Sequence, residues 1–259
     1  WDQGKAEITT YDLKQARYGE IHEGTANTIF VTEPFSKSKQ VKLDNANGNA
    51  EDNVPVLKLN FTRKFFTGVY PYSTMLSVFT PQDLKQNPNS LKVVFGAQEW
   101  CGQTYTQLNL SSSGYDMEQY SYFESEGDTE NNIPIAMLED ELMTHIRLNN
   151  GQLPLGDIDL ITSVLYSRFT HKKLQVAKAN ISKTEFDNVL NYNIKYLDFN
   201  RVINIEVETE FPHKILAWTE DDGNGLVTEA RLLKSMNEPY WSQKSVEDES
   251  KRKELMLDK

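Results

Sequence analysis

The chain has 259 residues, 38% of them hydrophobic and 11% aromatic, and its 27 Lys+Arg against 38 Asp+Glu leave a net charge of −11. That apolar content suits a sizeable core and excludes a disordered chain. The acidic balance argues against nucleic acid or an anionic membrane surface as main partner, because both require basic stripes.

No uncharged apolar run approaches the ~18 residues of a membrane-crossing helix, so the chain carries no transmembrane segment. A single cysteine, Cys101, excludes an intrachain disulfide and any cysteine-based zinc cluster. The length fits one all-β domain of ~200–250 residues as well as two smaller ones. The chain starts at Trp1 rather than Met. Loss of an upstream segment is the expectation, a secretory or lipoprotein leader being the commonest kind.

Period-2 alternation dominates from the start. Strands are expected over Ala6–Leu13, Tyr18–Thr32 and Gln40–Asp44, followed by a polar loop at Asn45–Asn53. In Val56–Thr62, Leu57, Leu59 and Phe61 point one way and Lys58, Asn60 and Thr62 the other. Lys64–Gly68 then closes a tight hairpin into the strand Tyr70–Thr80. Leu91, Val93, Phe95 and Ala97 form the next inward set, and Thr104–Leu110 and Met117–Glu124 the strands after it.

Two segments break this pattern. Met137–Leu148 places Leu138, Leu142, His145 and Ile146 at helical spacing, with acids in its first turn and Gly151 as a stop. Ile158–Phe169 places Ile158, Ile161, Leu165 and Phe169 likewise. Alternation then resumes in Tyr192–Leu197, Val202–Glu210 and Lys214–Thr219. Asp221-Asp222-Gly223-Asn224-Gly225 is a strong hairpin signal before the inward set Leu226, Thr228, Ala230 and Leu232. Ser245–Lys259 reads as a solvated helix or disordered tail.

No internal repeat and no Gly/Ser linker interrupts the chain. The expected fold is mainly β with inserted helices. One large curved antiparallel sheet, a half-barrel, carries a two-helix lid over its concave face. Residues 1–243 form the single domain, with the helical insert at about 135–172, and 244–259 form the tail.

The segments Gln15–Phe35 (QARYGEIHEGTANTIFVTEPF), Lys39–Asp44 (KQVKLD), Leu57–Pro81, Glu99–Leu110 (EWCGQTYTQLNL) and Phe211–Trp241 resemble a family of uncharacterised exported proteins and lipoproteins of the Bacteroidetes. The resemblance covers nearly the whole chain up to Trp241. It implies a protein of the periplasm or outer membrane, held by a lipid anchor upstream of this sequence. Some members are labelled septum formation inhibitor, which implies a nucleotide pyrophosphatase of α/β fold. This chain shows no βαβ alternation and no Gly-rich phosphate loop after a strand. The sheet with an inserted lid looks more like the periplasmic lipoprotein-carrier half-barrel, an analogy at the level of fold.

Chemistry-bearing groups are sparse. Tyr115–Glu141 holds nine acids and no Lys or Arg, with Glu124, Glu126, Asp128 and Glu130 alternating. A calcium loop fails there, since Thr129 stands where its glycine belongs. Glu141 and His145 share a helix face but lack a third metal ligand, and an ordinary helix-stabilising pair is the favoured reading. Cys101 has no local base to activate it, and a small buried hydrophobe is its plainest role. No catalytic residue, metal or cofactor is therefore assigned.

A ligand-binding set is expected instead where the EWCG segment faces the lid: Glu99, Trp100, Cys101, Tyr105, His145, Tyr166 and His171. The leading reading is a non-catalytic cell-envelope protein that binds a hydrophobic or acyl ligand in the concave face. It requires an apolar cavity with few charges. The alternatives are a structural or assembly protein with an envelope protein partner, and a hydrolase using carboxylates or Cys101.

Overall fold

The computed structural model describes residues 4–46, 48 and 50–257. Trp1, Asn47 and Asn49 of the polar loop, and the tail residues Asp258 and Lys259 lie outside the described residues. Among the described residues, sixteen strands form one sheet. The first nine are β1 (Ala6–Arg17), β2 (Glu20–Ser36), β3 (Val41–Lys42), β4 (Asn53–Thr67), β5 (Tyr70–Pro81), β6 (Lys92–Glu99), β7 (Gly102–Leu110), β8 (Tyr115–Ser121) and β9 (Thr129–Ile133). The insert follows: β10 (Met137–Leu138), a 3-10 turn at Glu139–Glu141, α1 (Leu142–Leu148), β11 (Gly156–Ile161) and α2 (Val164–Thr170). The chain closes with β12 (Val176–Phe186), β13 (Val189–Tyr196), β14 (Val202–Glu208), β15 (Ile215–Asp221), β16 (Val227–Glu238) and the tail helix α3 (Ser250–Glu254).

The strands run in a meander in which β16 pairs with β1, so the first and last strands lie mid-sheet and β9 and β10 form its edges. Every pairing is antiparallel except β10 with β11. The expected curved antiparallel half-barrel is therefore the fold, with the sheet left unclosed.

Two observations fix the curl. β4 and β15 lie four strand spacings apart, and a flat sheet would separate them by about 19 Å. Yet the Phe61 and Trp218 rings on these strands have centroids 5.3 Å apart, and Arg63 pairs with Glu220. In addition, only Pro134, Ile135 and Ala136 separate the two edge strands. Four Cα steps span at most ~14 Å, so the edges approach each other at one corner.

The inward phase of alternation builds one core. Leu59, Phe61, Leu76, Val93, Phe95 and Leu108 from one half meet Ile194, Ile205 and Trp218 from the other, with Leu142, Ile146, Val164 and Leu165 of the insert among them. α1 and α2 thus plug the concave face.

The insert differs from its sequence reading. The segment read as one helix, Ile158–Phe169, splits in two. Its first part alternates Asp157, Ile158, Asp159, Leu160 and joins the sheet as β11. Ser163 then caps α2, its Oγ accepting from Leu165 N and Tyr166 N at 3.1 and 3.4 Å. The Met137–Leu148 helix is shorter than expected, because β10 and the 3-10 turn occupy its first residues. β9 and β12 carry no strand signal strong enough to be expected. β12 lines its inward phase with Ala177 and Ala179, which give little contrast.

The tail helix Ser250–Glu254 has no buried residue, as expected of a solvated segment, but the residue after it anchors the tail on the convex face. Leu255 is buried with Ala6, Ile8 and Val31, and Thr10 Oγ1 donates to its carbonyl at 2.6 Å.

Candidate functional site

The middle of the concave face is filled. The space between lid and sheet there amounts to about 50 Å³ and is bordered by Arg63, Glu139, Asp140 and Glu220. Drug-sized ligands occupy ~300 Å³ or more, so this space, although lined mainly by apolar side chains, is too small to be the cavity the carrier reading requires.

Its charges are counter-ions that pin lid to sheet. Arg201, on the loop before β14, donates to Glu139 at 2.5 Å and to Asp222. Arg147 of α1 grips Glu7 of β1 through two bonds of 2.8 and 2.6 Å beneath the Phe30 ring. Glu141 accepts from Leu138 N and Ser90 N, at 2.9 and 2.8 Å. Several acids of the Tyr115–Glu141 run are thus structural acceptors rather than a cation cluster. Among the described residues, no group of three His, Cys, Asp or Glu could hold a metal ion.

Asp140 is the titratable member. Burial raises its carboxyl to about 7, helped by Glu139, although Val164 N and Arg201 act the other way. A carboxyl raised in the folded state stabilises it fully below the unfolded value of ~3.9 and loses that contribution as pH rises to about 7. Asp140→Asn is therefore expected to flatten the pH dependence of stability between pH ~4 and ~7. Urea melts of both proteins across that window check it, and parallel curves would refute it.

The open part of the concave face lies at the β9 edge, where the barrel fails to close. A slot of about 280 Å³ runs between β7–β9 on one side and α2 with residues 172–174 on the other. Its floor is the inward phase Thr104, Thr106 and Met117, and its opposite wall is Val164, Ser167, Arg168 and Leu174. Three buried atoms on these walls have no hydrogen-bond partner: Thr104 Oγ1, Ser167 Oγ and Arg168 Nε. These atoms lie beneath the slot's surface, while its accessible lining mixes polar and charged groups such as Gln119, Glu126, Lys172 and Lys173 with Met117, Val164 and Leu174. Arg168 is nonetheless anchored. Its guanidinium lies 3.7 Å from Glu99 and 3.4 Å from Glu126, over the Phe123 ring.

The expected site residues separate around this slot. Glu99 ends β6 on the inward face and meets α2 through Arg168, and His171 Nδ1 lies 2.6 Å from Glu126. These two come together by way of Arg168 and Glu126. Trp100 and Cys101 form the adjacent turn. Trp100 is 70% exposed and stacks 6.3 Å from Tyr70. Cys101 is exposed, not the buried hydrophobe expected, because the turn lifts it off the sheet. The Glu99 carboxylate, which accepts its amide at 2.7 Å, pushes its thiol up. That opposes thiolate formation.

The remaining three lie apart. Tyr166 is buried on α2, stacked on Phe199 with Arg201 4.3 Å from its ring. His145 sits on α1, 3.6 Å from Glu141. Tyr105 faces away from the lid, since Thr104 and Thr106 take the inward phase. Thr104, Ser167 and Arg168 escaped the sequence reading, although Thr104 alternates in phase with the inward Leu108. Comparison with family models, with curated proteins and with solved structures gave no match.

Proposed function

We propose that the protein is a non-catalytic binding protein of the cell envelope that takes an amphiphile with an acyl or similar apolar part into the slot beside α2. The reading rests on one observation. A half-open slot of about 280 Å³ beside α2 sets three apolar side chains (Met117, Val164, Leu174) among polar and charged ones, Arg168, Lys172 and Lys173 included. The apolar part lies along Met117 and Leu174. An acceptor-rich head meets Lys172 and Lys173 on the slot's wall, beside the guanidinium of Arg168. Binding is the favoured role because Cys101 is held as a thiol and the slot's carboxylates, Glu99 and Glu126, face Arg168 as counter-ions. The envelope location follows from the resemblance of the segments named above.

A fluorescent fatty acid serves as the probe. Saturable uptake is expected, and Ser167→Trp, which fills the slot from its wall, is expected to weaken it by about tenfold or more. Uptake unchanged in Ser167→Trp, with circular dichroism intact, would sink the reading. It would leave the assembly alternative, which has one feature in its favour: Phe66, Val69 and Trp100 lie exposed at the turns of neighbouring hairpins.

A further inference from the structure

The convex face carries a second feature, independent of the lid. Across β5–β8, Met75, Gly96, Tyr105 and Tyr120 are register partners and form one row at right angles to the strands. Gly96 leaves a gap in that row. A Cβ there would meet nothing within 4 Å. The result is an open trough of about 520 Å³ with Met75 on one side and Tyr105 on the other.

The tyrosines are held as a platform. Tyr105 donates to Gln107 Oε1 at 2.8 Å, and its ring lies 6.4 Å from that of Tyr120 at 34°. Beside this row runs a second one, Ser73, Gln98 and Gln103, which offers a hydroxyl and two exposed amides. The first row continues across β4 and β2 to Thr62 and Asn27. There a further hollow of about 390 Å³ shares Met75 and is bordered by Asn27, Lys64, Lys251 and Arg252.

We infer that this trough binds a neutral glycan chain laid across the strands. Three features select that class. A pyranose ring has an apolar C–H face for tyrosine and a hydroxyl edge for amides, and the platform supplies both side by side. The trough is shallow and open, which suits an extended chain rather than an enclosed small molecule. Among the described residues, no Lys or Arg lines the trough itself and Asp128 does, so an anionic polymer is disfavoured there. A protein partner would be expected to meet a more aliphatic centre, and Met75 is the one large aliphatic side chain in the trough.

Native affinity electrophoresis of the full chain tests the inference, with dextran, laminarin, arabinoxylan and galactomannan as probes and heparin as the anionic control. At least one neutral glycan is expected to retard the protein, and heparin is not. Tyr105→Ala with Tyr120→Ala is expected to weaken retardation by about tenfold. Gly96→Leu fills the trough where space already exists, so it keeps the fold and is expected to abolish retardation. Ser167→Trp, on the opposite face, leaves it unchanged, which separates this inference from the fatty-acid reading. No retardation by any of the four neutral glycans overturns the inference. So does equal retardation by heparin, or retardation that survives both trough variants.

Discussion

Arg63→Met is expected to destabilise the fold by about 3–5 kcal/mol, because it leaves a buried carboxylate without its partner. Arg63 is 2% exposed and joins β4 to β15 through Glu220, with Gln15 Oε1 accepting from the same guanidinium at 3.0 Å. Burial pushes the Glu220 carboxyl up, but Arg63 outweighs it and holds the group below the usual glutamate range. In the native protein this carboxylate contributes stability above its unfolded value, lost as pH falls through the lowered one. Without Arg63, burial is opposed only by the smaller effects of Arg201 and Trp218, and the carboxyl rises. The deficit of the variant is therefore expected to shrink as pH falls from 7 toward ~4. Urea midpoints at the two ends of that range give the result. A constant deficit would mean that Arg63 acts by packing alone. The double variant Arg63→Met with Glu220→Leu is expected to recover most of the loss, since an apolar pair of similar volume replaces a buried ion pair at little cost.

Trp218→Ala is expected to cost a similar amount, about 3–5 kcal/mol, by opening a cavity in the centre of the concave core. The indole is 2% exposed. It meets Tyr11 edge-on at 4.7 Å and Phe61 at 5.3 Å, and so bridges strands that only the curl brings together. Trp218→Phe keeps most of that contact and is expected to lose far less. A urea midpoint shifted equally by both variants would contradict this packing role. The guanidinium of Arg63 lies 5.9 Å from the Trp218 ring, so the two losses are expected not to add.

Much of the sheet is legible from alternation, and so are parts of the site. The inward set Leu57, Leu59, Phe61 continues in the same phase to Arg63 and Phe65. The reading that stopped at Thr62 missed a buried arginine that its own period placed inside. The set Leu91, Val93, Phe95, Ala97 likewise continues to Glu99, which does reach the lid. Tyr105 was assigned to the lid side although Thr104 and Thr106 hold that phase. Its place on the convex face follows from the pleat alone.

The insert was harder for a physical reason. α1 and α2 are seven residues each, two turns long, and so short a segment carries little helical period to set against alternation. In Asp157–Ile161 the strand pattern won and α2 began only at its serine cap. The slot wall followed the same logic. Ser167 and Arg168 are unremarkable in sequence and become a site only because α2 lies along the unpaired β9 edge.

By itself the sequence determined the class of structure, the face each strand residue takes and, among the described residues, that no helix is long and apolar enough to cross a membrane. These are local properties, since the pleat fixes a side chain's face from its neighbours in the chain. Only the tertiary structure decided that β4 and β15 touch, that Arg63 finds Glu220 157 residues away, and that the plugged centre leaves its opening at the β9 edge. Such contacts arise from twist summed over many strands and from where two short helices come to rest, and neither quantity is written in any one stretch of residues.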